Sequence, residues 1–517
     1  MPAQRHEIVP PQRPEADRIL TPAEMGEADA ITIERYGVPG IALMENASRH
    51  VAAAAAARVE RGRLIGVVCG GGNNGGDGLG AARHLAGWGH RVEIWLTGPR
   101  DKIQGDAAQN LAACDAIGLP MRVAADADAL PPPGTYALIV DALLGTGLRG
   151  EVRGLAREVI TWMNQHRAPV LAVDIPSGVD GETGSIGGAA VEAVETVTFS
   201  ASKPGHWLHP GAGRRGLLCI VDIGMPVAAL TRAPKRRLLG ETDLDPIRTP
   251  RAADSHKGRQ GHVYVLGGSP GKSGSIRMTA DAAMRAGAGL VTIGTTPELA
   301  TAIGPALYET MAEGALDPTG DVDRVVERLC GFDAVAVGPG IPTDDATGAW
   351  LEAALPRVDR PLVLDADGLN HAARRPGILA GDAPRVITPH PGEAARLLGC
   401  ETADVQRDRF AAVAALRAKY GAVVVLKGAG TLVQCEDELT LCPDGNPGMA
   451  SAGMGDVLTG IIAALLGRGL SAAAAARAGV VWHARAGDAA AARQSEDHLI
   501  ARDLIAALAE GARDRRC

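Results

Sequence analysis

Short apolar runs, each stopping at a loop rich in glycine or aspartate, recur along almost the whole chain. In the first half they fall at 64–70, 91–96, 136–140, 169–173, 194–199 and 217–221. In the second they fall at 261–267, 289–293, 334–337, 361–364, 386–388 and 423–426. Runs this short and this continuous read as strands buried on both faces. Parallel strands need crossover helices, and the stretches between the runs are long enough to supply them. The pattern therefore predicts α/β folds with parallel sheets. The polar loops then line up along the carboxyl edge of each sheet, where ligands bind. The 67 glycines and the 3% aromatic content suit helices lying close on sheets.

The rhythm lapses from 225 to 249, where Lys235-Arg236-Arg237 reads as a linker, and then restarts. With 517 residues this predicts two domains, 21–238 and 239–510, after a disordered leader at 1–20. Thr21-Pro22-Ala23-Glu24 is a capping box opening a helix, and two helices precede the first strand, parted at Gly37–Gly40. A net charge of −8 gives no basis for nucleic acid as a bulk partner. No stretch has the length of a membrane helix free of charge and glycine. Scattered cysteines without a CxxC pair and the lack of a signal-peptide core point to the cytoplasm.

In the first half the loop Gly70-Gly71-Gly72-Asn73-Asn74-Gly75-Gly76-Asp77-Gly78 lies between strand and helix, where a phosphate site belongs. It matches the dinucleotide fingerprint only formally. The acid that should end the second strand is absent, since Glu93 sits inside VEIW, so a dehydrogenase is disfavoured. Asn74, Asp141 and Ser177 are oxygen ligands expected at one sheet edge. They could hold a hard cation, but plain loop hydrogen bonding is the reading that their chemistry alone favours. Asp174 ends a strand as a candidate acid/base, or as a turn-forming residue, and Lys203 before Pro204-Gly205 shares that ambiguity.

In the second half, NPGMASAGMGDVLTG at 446–460 places a glycine turn ahead of Asp456 and an apolar helix. Free N–H groups at a helix start hold phosphate, and a carboxylate beside them can deprotonate an alcohol. Asp456 as a plain helix cap is an equal reading from this motif alone. Lys427-Gly428-Ala429-Gly430-Thr431 resembles a nucleotide loop but is not a Walker sequence, which disfavours a P-loop ATPase. His390, between prolines, suits a rigid ligand contact or a structural role.

Taken together, the first half resembles the NAD(P)H-hydrate epimerases. The matching stretches are Met44-Glu45-Asn46-Ala47, GGGNNGGDG, DALLGTGLRG, VDIPSGVD and FSASKPG. The second half resembles the ADP-dependent (S)-NAD(P)H-hydrate dehydratases through HKGRQGHVYVLGGS, RAGAGLVTI, VGPG, DADGLN, TPHPGEAARLLG, LKGAGTLV and the 446–460 motif. The resemblance implies a Rossmann-like αβα sandwich followed by a ribokinase-like fold, fused in one bifunctional enzyme. Such an enzyme interconverts the R and S hydrates of NADH and NADPH and dehydrates the S form, turning ADP into AMP and phosphate.

The same resemblance implies the site residues. Asn73, Asn74, Gly75, Gly76 and Asp77, with Gly145, Thr146, Gly147, Leu148, Arg149, Gly150 and Glu151, contact the hydrate. Asn74, Asp141 and Ser177 hold K+. Asp174 contacts the hydrate and is the epimerase acid/base, with Lys203 as second candidate. Ser275, Gly340, His390 and Asp456 contact the hydrate in the second half, where Asp456 is the base. Lys427, Gly428, Ala429, Gly430, Thr431 and Gly455 bind the adenine nucleotide, with Mg2+. Ala452 stands where the family usually has glycine and Ser275 where alanine is common, both small changes. The competing reading makes the second half a vitamin or sugar-alcohol kinase behind a nucleotide-binding module. A homo-oligomer is compatible with either.

Overall fold

The computed structural model describes residues 17–148, 150–232 and 235–514. The chain divides into two compact units, Met1–Arg236 and Arg237–Cys517. The first is built on a seven-stranded sheet of β1 (Leu64–Cys69), β2 (Arg91–Leu96), β3 (Met121–Val123), β4 (Leu138–Ala142), β5 (Val170–Val173), β6 (Glu195–Phe199) and β7 (Leu217–Val221). Their order is β3-β2-β1-β4-β5-β6-β7, with each neighbouring pair parallel. Alternate residues of β1 enter different cores. Ile65, Val67 and Cys69 pack with the helices Gly40–Ala56 and Asn73–Gly87, while Val68 packs on the opposite face with Val159 and Met163 of Gly154–Gln165. Both faces are thus covered, as the continuous apolar runs require.

The second unit's sheet has ten strands. They are β8 (Lys235–Leu238), β9 (His262–Leu266), β10 (Leu290–Thr295), β11 (Met311–Gly314), β12 (Ala334–Val337), β13 (Leu362–Leu364), β14 (Arg385–Ile387), β15 (Val423–Leu426), β16 (Leu432–Gln434) and β17 (Glu438–Leu441). The order is β11-β10-β9-β12-β13-β14-β15-β16-β17-β8. β11 through β15 in that order are parallel, and β16 and β17 are antiparallel additions. One face is covered by the helices Ser273–Arg285, Met454–Gly467 and Ala472–Gln494, whose buried apolar residues share a core with Val263 and Val265.

Strand order reverses between β1 and β4 in the first unit and between β9 and β12 in the second. A crevice opens at the carboxyl ends of the strands at such a switch point. The glycine loop singled out above after β1 starts at the first of these, and the Gly267-Gly268 turn after β9 starts at the second.

Several expectations are corrected. Lys235-Arg236-Arg237 is not a linker but lies in β8, where Arg237 bridges Asp243 (2.8 Å) and Glu438 (3.0 Å). Of the leader, residues 1–16 lie outside the described residues, but 17–20 are ordered. Ile19 and Leu20 are buried, and the Leu20 N–H donates to the Ser202 carbonyl at 2.9 Å. β4 runs two residues further than expected, so Asp141 lies inside the strand, opposite Ala172 of β5. The opening helix, Pro22–Glu34, has its capping box: Thr21 N–H donates to Glu24 Oε2 (2.8 Å) and Glu24 N–H to Thr21 Oγ1 (3.3 Å).

Candidate active sites

In the first unit, Gly72 caps the helix Asn73–Gly87, and the first intrahelical bond is Gly76 N–H to Gly72 carbonyl (3.0 Å). The preceding N–H groups have no partner within the helix, which makes the turn an anion seat. Gly75 and Gly78 allow this helix to sit directly on the strand ends. A Cβ at Gly75 would collide with the Gly70 carbonyl, and one at Gly78 would strike Cys69 and Ala142. Asn73 is exposed at the rim, and Gly75, Gly76 and Asp77 descend into the protein. Burial, then the charges of Asp174 and Asp29, pushes the Asp77 carboxyl well up.

Asp141 is fully buried. It accepts from Ser177 N–H (2.8 Å), Ser177 Oγ (2.6 Å) and Leu143 N–H (3.2 Å), and burial lifts its carboxyl to about 6 against those bonds. Ser177 Oγ also accepts from Leu144 N–H at 2.8 Å. Asn74 lies on the next residue: a Cβ on Gly145 would be 3.1 Å from Asn74 Cβ. The structure therefore gathers Asn74, Asp141 and Ser177 around the segment 141–145. The Asn74 Nδ2 atom is buried with no partner among the described residues. Turning that amide over would present its oxygen instead. With the amide turned, the three side chains offer oxygens only, the donor chemistry that a hard cation takes.

The loop 145–151 leaves β4 beside this cluster. Thr146 packs near Gly181, and Gly147, Gly150 and Glu151 are exposed, Glu151 being paired with Arg153 (2.9 Å). Arg149 lies outside the described residues.

Asp174, just past β5, has φ 63°. A non-glycine residue held there costs on the order of 1–3 kcal/mol, and such strain clusters at functional sites. Asp174 Oδ1 accepts from Lys203 Nζ (2.5 Å) and Thr198 Oγ1 (2.8 Å), and Lys203 Nζ also donates to Thr198 Oγ1 (2.8 Å). Burial pushes the Asp174 carboxyl up, but the Lys203 ammonium outweighs it and holds the group below the ordinary range. Lys203 is 1% exposed, so Asp174 is the route by which this pair reaches the crevice. His206 Nδ1 accepts from Lys203 N–H (3.0 Å), which leaves Nε2 to donate to the Asp174 carbonyl (2.8 Å). Burial, then the charge of Lys203, lowers His206 to about 3 and keeps it neutral. Sequence reasoning missed Ser200, which has φ 59° and a buried hydroxyl without a partner among the described residues.

In the second unit, Gly453 (φ 88°) heads the helix Met454–Gly467. Asp456 is the third helical residue and makes no capping bond, so the plain-cap reading fails. The Ser275 hydroxyl, on the helix Ser273–Arg285, acts on it and favours its ionised form. Burial first, then the charge of Asp365, raises Asp456 to about 6. Lys427 Nζ lies against this helix start, where a Cβ on Gly455 would be 3.1 Å from it. Lys427 is fixed by Asp365, whose Oδ1 accepts from Nζ (2.6 Å) and whose Oδ2 accepts from Thr459 Oγ1 (2.7 Å).

The residues Lys427–Thr431 form the turn between β15 and β16, with Gly428 at φ 129° and Gly430 at φ 66°. Arg409, buried, donates to the carbonyls of Leu426 (3.2 Å), Lys427 (3.2 Å) and Gly430 (3.4 Å). Neither Arg409 nor Asp365 was singled out from the sequence. The DADGLN motif was the available signal for Asp365: Ala366 has φ 50°, and Asp367 pairs with Lys272 at 2.8 Å. Gly340 follows β12 and packs on Lys272, and its carbonyl accepts from Ser269 Oγ (2.8 Å). His390 caps the helix Pro391–Leu398, its Nδ1 accepting from Gly392 N–H (3.0 Å). It is half-exposed, and burial with the Lys427 and Arg396 charges lowers its pKa. Glu393, beside it and Lys427, is lifted to about 7 by burial.

Comparison with known proteins supplies the family. The family described as YjeF-related protein N-terminus matches residues 40–205, and the one described as NAD(P)H-hydrate dehydratase matches 263–509. A Moorella thermoacetica protein named bifunctional NAD(P)H-hydrate repair enzyme Nnr is 41% identical, covering 94% of this chain and 95% of its own. Its namesake from Escherichia coli is 41% identical over 86% of this chain and 84% of its own. A solved structure described as an ADP/ATP-dependent NAD(P)H-hydrate dehydratase from Bacillus subtilis, co-crystallised with ATP/Mg2+, is 26% identical. It covers 54% of this chain and 98% of its own, with a TM-score of 0.46. With full-length relatives matching both units in order, the chain belongs to the family of bifunctional NAD(P)H-hydrate repair enzymes.

Proposed function

We propose that residues 21–238 epimerise the R and S hydrates of NADH and NADPH, and that residues 239–510 dehydrate the S form with ADP. The observation that carries this is Asp456, an uncapped and proton-hungry carboxyl in the first turn of a helix whose open start also holds Lys427. Base, cation and free N–H groups at one point suit transfer of a phosphoryl group to an alcohol.

In the dehydratase reading, Lys427–Thr431 and Gly455 hold the adenine nucleotide and Ser275, Gly340 and His390 hold the hydrate. Asp456 takes the ring hydroxyl's proton as its oxygen attacks the terminal phosphorus of ADP. The helix start offsets the charge that develops there. The ring nitrogen's lone pair then expels phosphate and restores the reduced nicotinamide. Among the described residues no group of three His, Cys, Asp or Glu could hold a metal. Mg2+ would therefore ride on the diphosphate, its usual mode. The preference for ADP rests on the family resemblance.

In the epimerase reading, residues 73–77 and 145–151 cradle the hydrate. Asp174 moves a proton at the hydroxyl, and Lys203 keeps Asp174 ionised. Asn74, Asp141 and Ser177 would hold K+, which supplies a fixed positive charge beside the substrate. Replacing K+ by choline is expected to slow epimerisation and leave dehydration unchanged, and Asn74→Leu is expected to remove the K+ response. Equal K+ dependence in wild type and variant would disqualify those ligands.

Among the described residues no helix is long and apolar enough to cross a membrane, and seven cysteines are free thiols. A cytoplasmic home, near the nicotinamide pool, is part of this reading, as is a homo-oligomer. The deciding experiment feeds mixed hydrates with ADP or ATP and follows reduced-nicotinamide absorbance. Full conversion is expected. Conversion of half means that only dehydration works, and a stable phosphorylated product means a kinase.

A further inference from the structure

Epimerisation breaks a C–O bond on one face of the ring and makes one on the other. The leaving oxygen needs a proton and the arriving water must lose one. A single pinned carboxyl serves one face. Asp174 is pinned, by Lys203 at 2.5 Å and Thr198 at 2.8 Å.

A second carboxyl comes from an element that the loop motifs did not mark. The helix Pro22–Glu34 is anchored on the site. Ile19, just ahead of it, bridges Ser202, the residue before Lys203, and Leu20 N–H donates to the Ser202 carbonyl at 2.9 Å. Arg236 clamps Glu24 at 2.5 Å. Pro22 packs towards Gly181 and Thr146: a Cβ on Gly181 would be 2.9 Å from Pro22 Cγ and 3.4 Å from Thr146 Cγ2. Asp29 lies about two turns further along that same side of the helix, at the edge of the buried stripe of Met25, Ala28 and Thr32. It is half-buried.

Resting on the epimerase reading above, we propose that Asp29 is the second proton-transfer residue of the first unit, working on the opposite face of the ring from Asp174. The Asp29 carboxyl gives its proton to the hydroxyl oxygen as the C–O bond breaks. The ring nitrogen's lone pair forms the C=N bond, and water departs. A water then attacks the other face, the C=N electrons return to nitrogen, and Asp174 takes the water's proton. Nothing is oxidised. Solvent removes the proton gained by Asp174 and restores the one lost by Asp29. In the reverse direction the two exchange roles.

The electrostatics agree. The charged groups acting on Asp29 are Lys203 from the loop after β6, Asp174 from the end of β5 and Asp77 from the helix after β1. Burial raises Asp29 to about 6, Lys203 opposes this, and Asp174 adds to it. Asp174 is instead held low. Two carboxyls with pKa values pushed apart are the usual mark of an acid and base pair.

The test uses the full chain and follows R-to-S conversion chromatographically, over the uncatalysed rate, with ADP-dependent dehydration as the internal control. Asp29→Asn is expected to lower kcat for epimerisation by about 100-fold with little change in KM, a general acid being worth about 10²–10⁴. It is also expected to remove the limb near pH 6 from the pH profile. Asp29→Glu, which keeps the acid, is expected to recover at least about a tenth of the activity. Wild-type kcat in Asp29→Asn, a loss confined to KM, or a Glu variant as slow as Asn would overturn the assignment. If wild-type protein itself leaves the epimers unchanged, the epimerase reading fails. If wild type and Asp29→Asn epimerise at the same rate, only this proposal fails.

Discussion

Asp456→Asn is expected to lower ADP-dependent dehydration by at least about 100-fold while epimerisation continues at the wild-type rate. The substitution preserves shape, and an amide oxygen remains to meet the Ser275 hydroxyl. What disappears is the ability to take a proton from the substrate hydroxyl. The wild-type pH profile carries the same information. Burial and the charge of Asp365 set the Asp456 carboxyl at about 6. A base works only when ionised, so wild-type kcat/KM for dehydration should fall about tenfold per pH unit below pH 6 and level off above it. The residual activity of Asp456→Asn should lack that limb. A variant retaining more than about a tenth of the wild-type rate, or one losing both activities together while folded, would remove Asp456 from the chemistry. Because Lys427 lies at the same helix start, nucleotide KM should change little, since cation and N–H groups remain.

The parts of these sites that could be read in the sequence share one property: they sit where a continuous apolar run meets a polar or glycine-rich loop. Asn74, Asp174, Lys203 and Lys427 follow such a run, and Asp456 stands just ahead of one. The parallel strands were readable for the same reason, because burial on both faces leaves uninterrupted Val, Ile and Leu. Three of the four edge strands were not, the exception being the buried, apolar β7. β3 (MRV), β8 (KRRL) and β11 (MAEG) are partly exposed and carry polar residues, so no apolar run marks them. Residues that act at a distance were also hidden. Arg409 lies on the helix Arg409–Tyr420 and reaches back to three carbonyls around the Lys427 turn, and no local pattern announces such a contact. Asp29 looks like any polar residue of an amphipathic helix until Ile19 and Leu20 are seen docking that helix beside Ser202. His390 shows the converse, since the rigidity read from its flanking prolines also serves a helix cap.

Lys203→Met should both stop epimerisation and destabilise the first unit. Lys203 is 1% exposed and its ammonium is the counter-charge for Asp174. Methionine fills similar space but leaves Asp174 with Thr198 as its remaining side-chain donor. Removing one partner of a buried ion pair costs about 3–5 kcal/mol, because the other charge is stranded. The pH dependence follows from the direction of the shift. Asp174 is held below the ordinary carboxylate range in the folded protein, so its contribution is present above about pH 4 and is lost as pH falls through the lowered folded value. In Lys203→Met that stabilisation is gone and the carboxyl moves up. The deficit relative to wild type should therefore be largest at neutral pH and shrink on acidification towards pH 4. Hydrogen exchange of the β5 and β6 amides at pH 7 and pH 5 reads this directly. The double variant Asp174→Asn/Lys203→Met separates charge from shape. With neither charge left, exchange protection should recover much of the loss, since neutral replacement of a buried pair is often tolerated, while epimerisation stays absent. Protection as low in the double variant as in Lys203→Met would mean that Lys203 supports the fold through packing rather than as the counter-ion of Asp174.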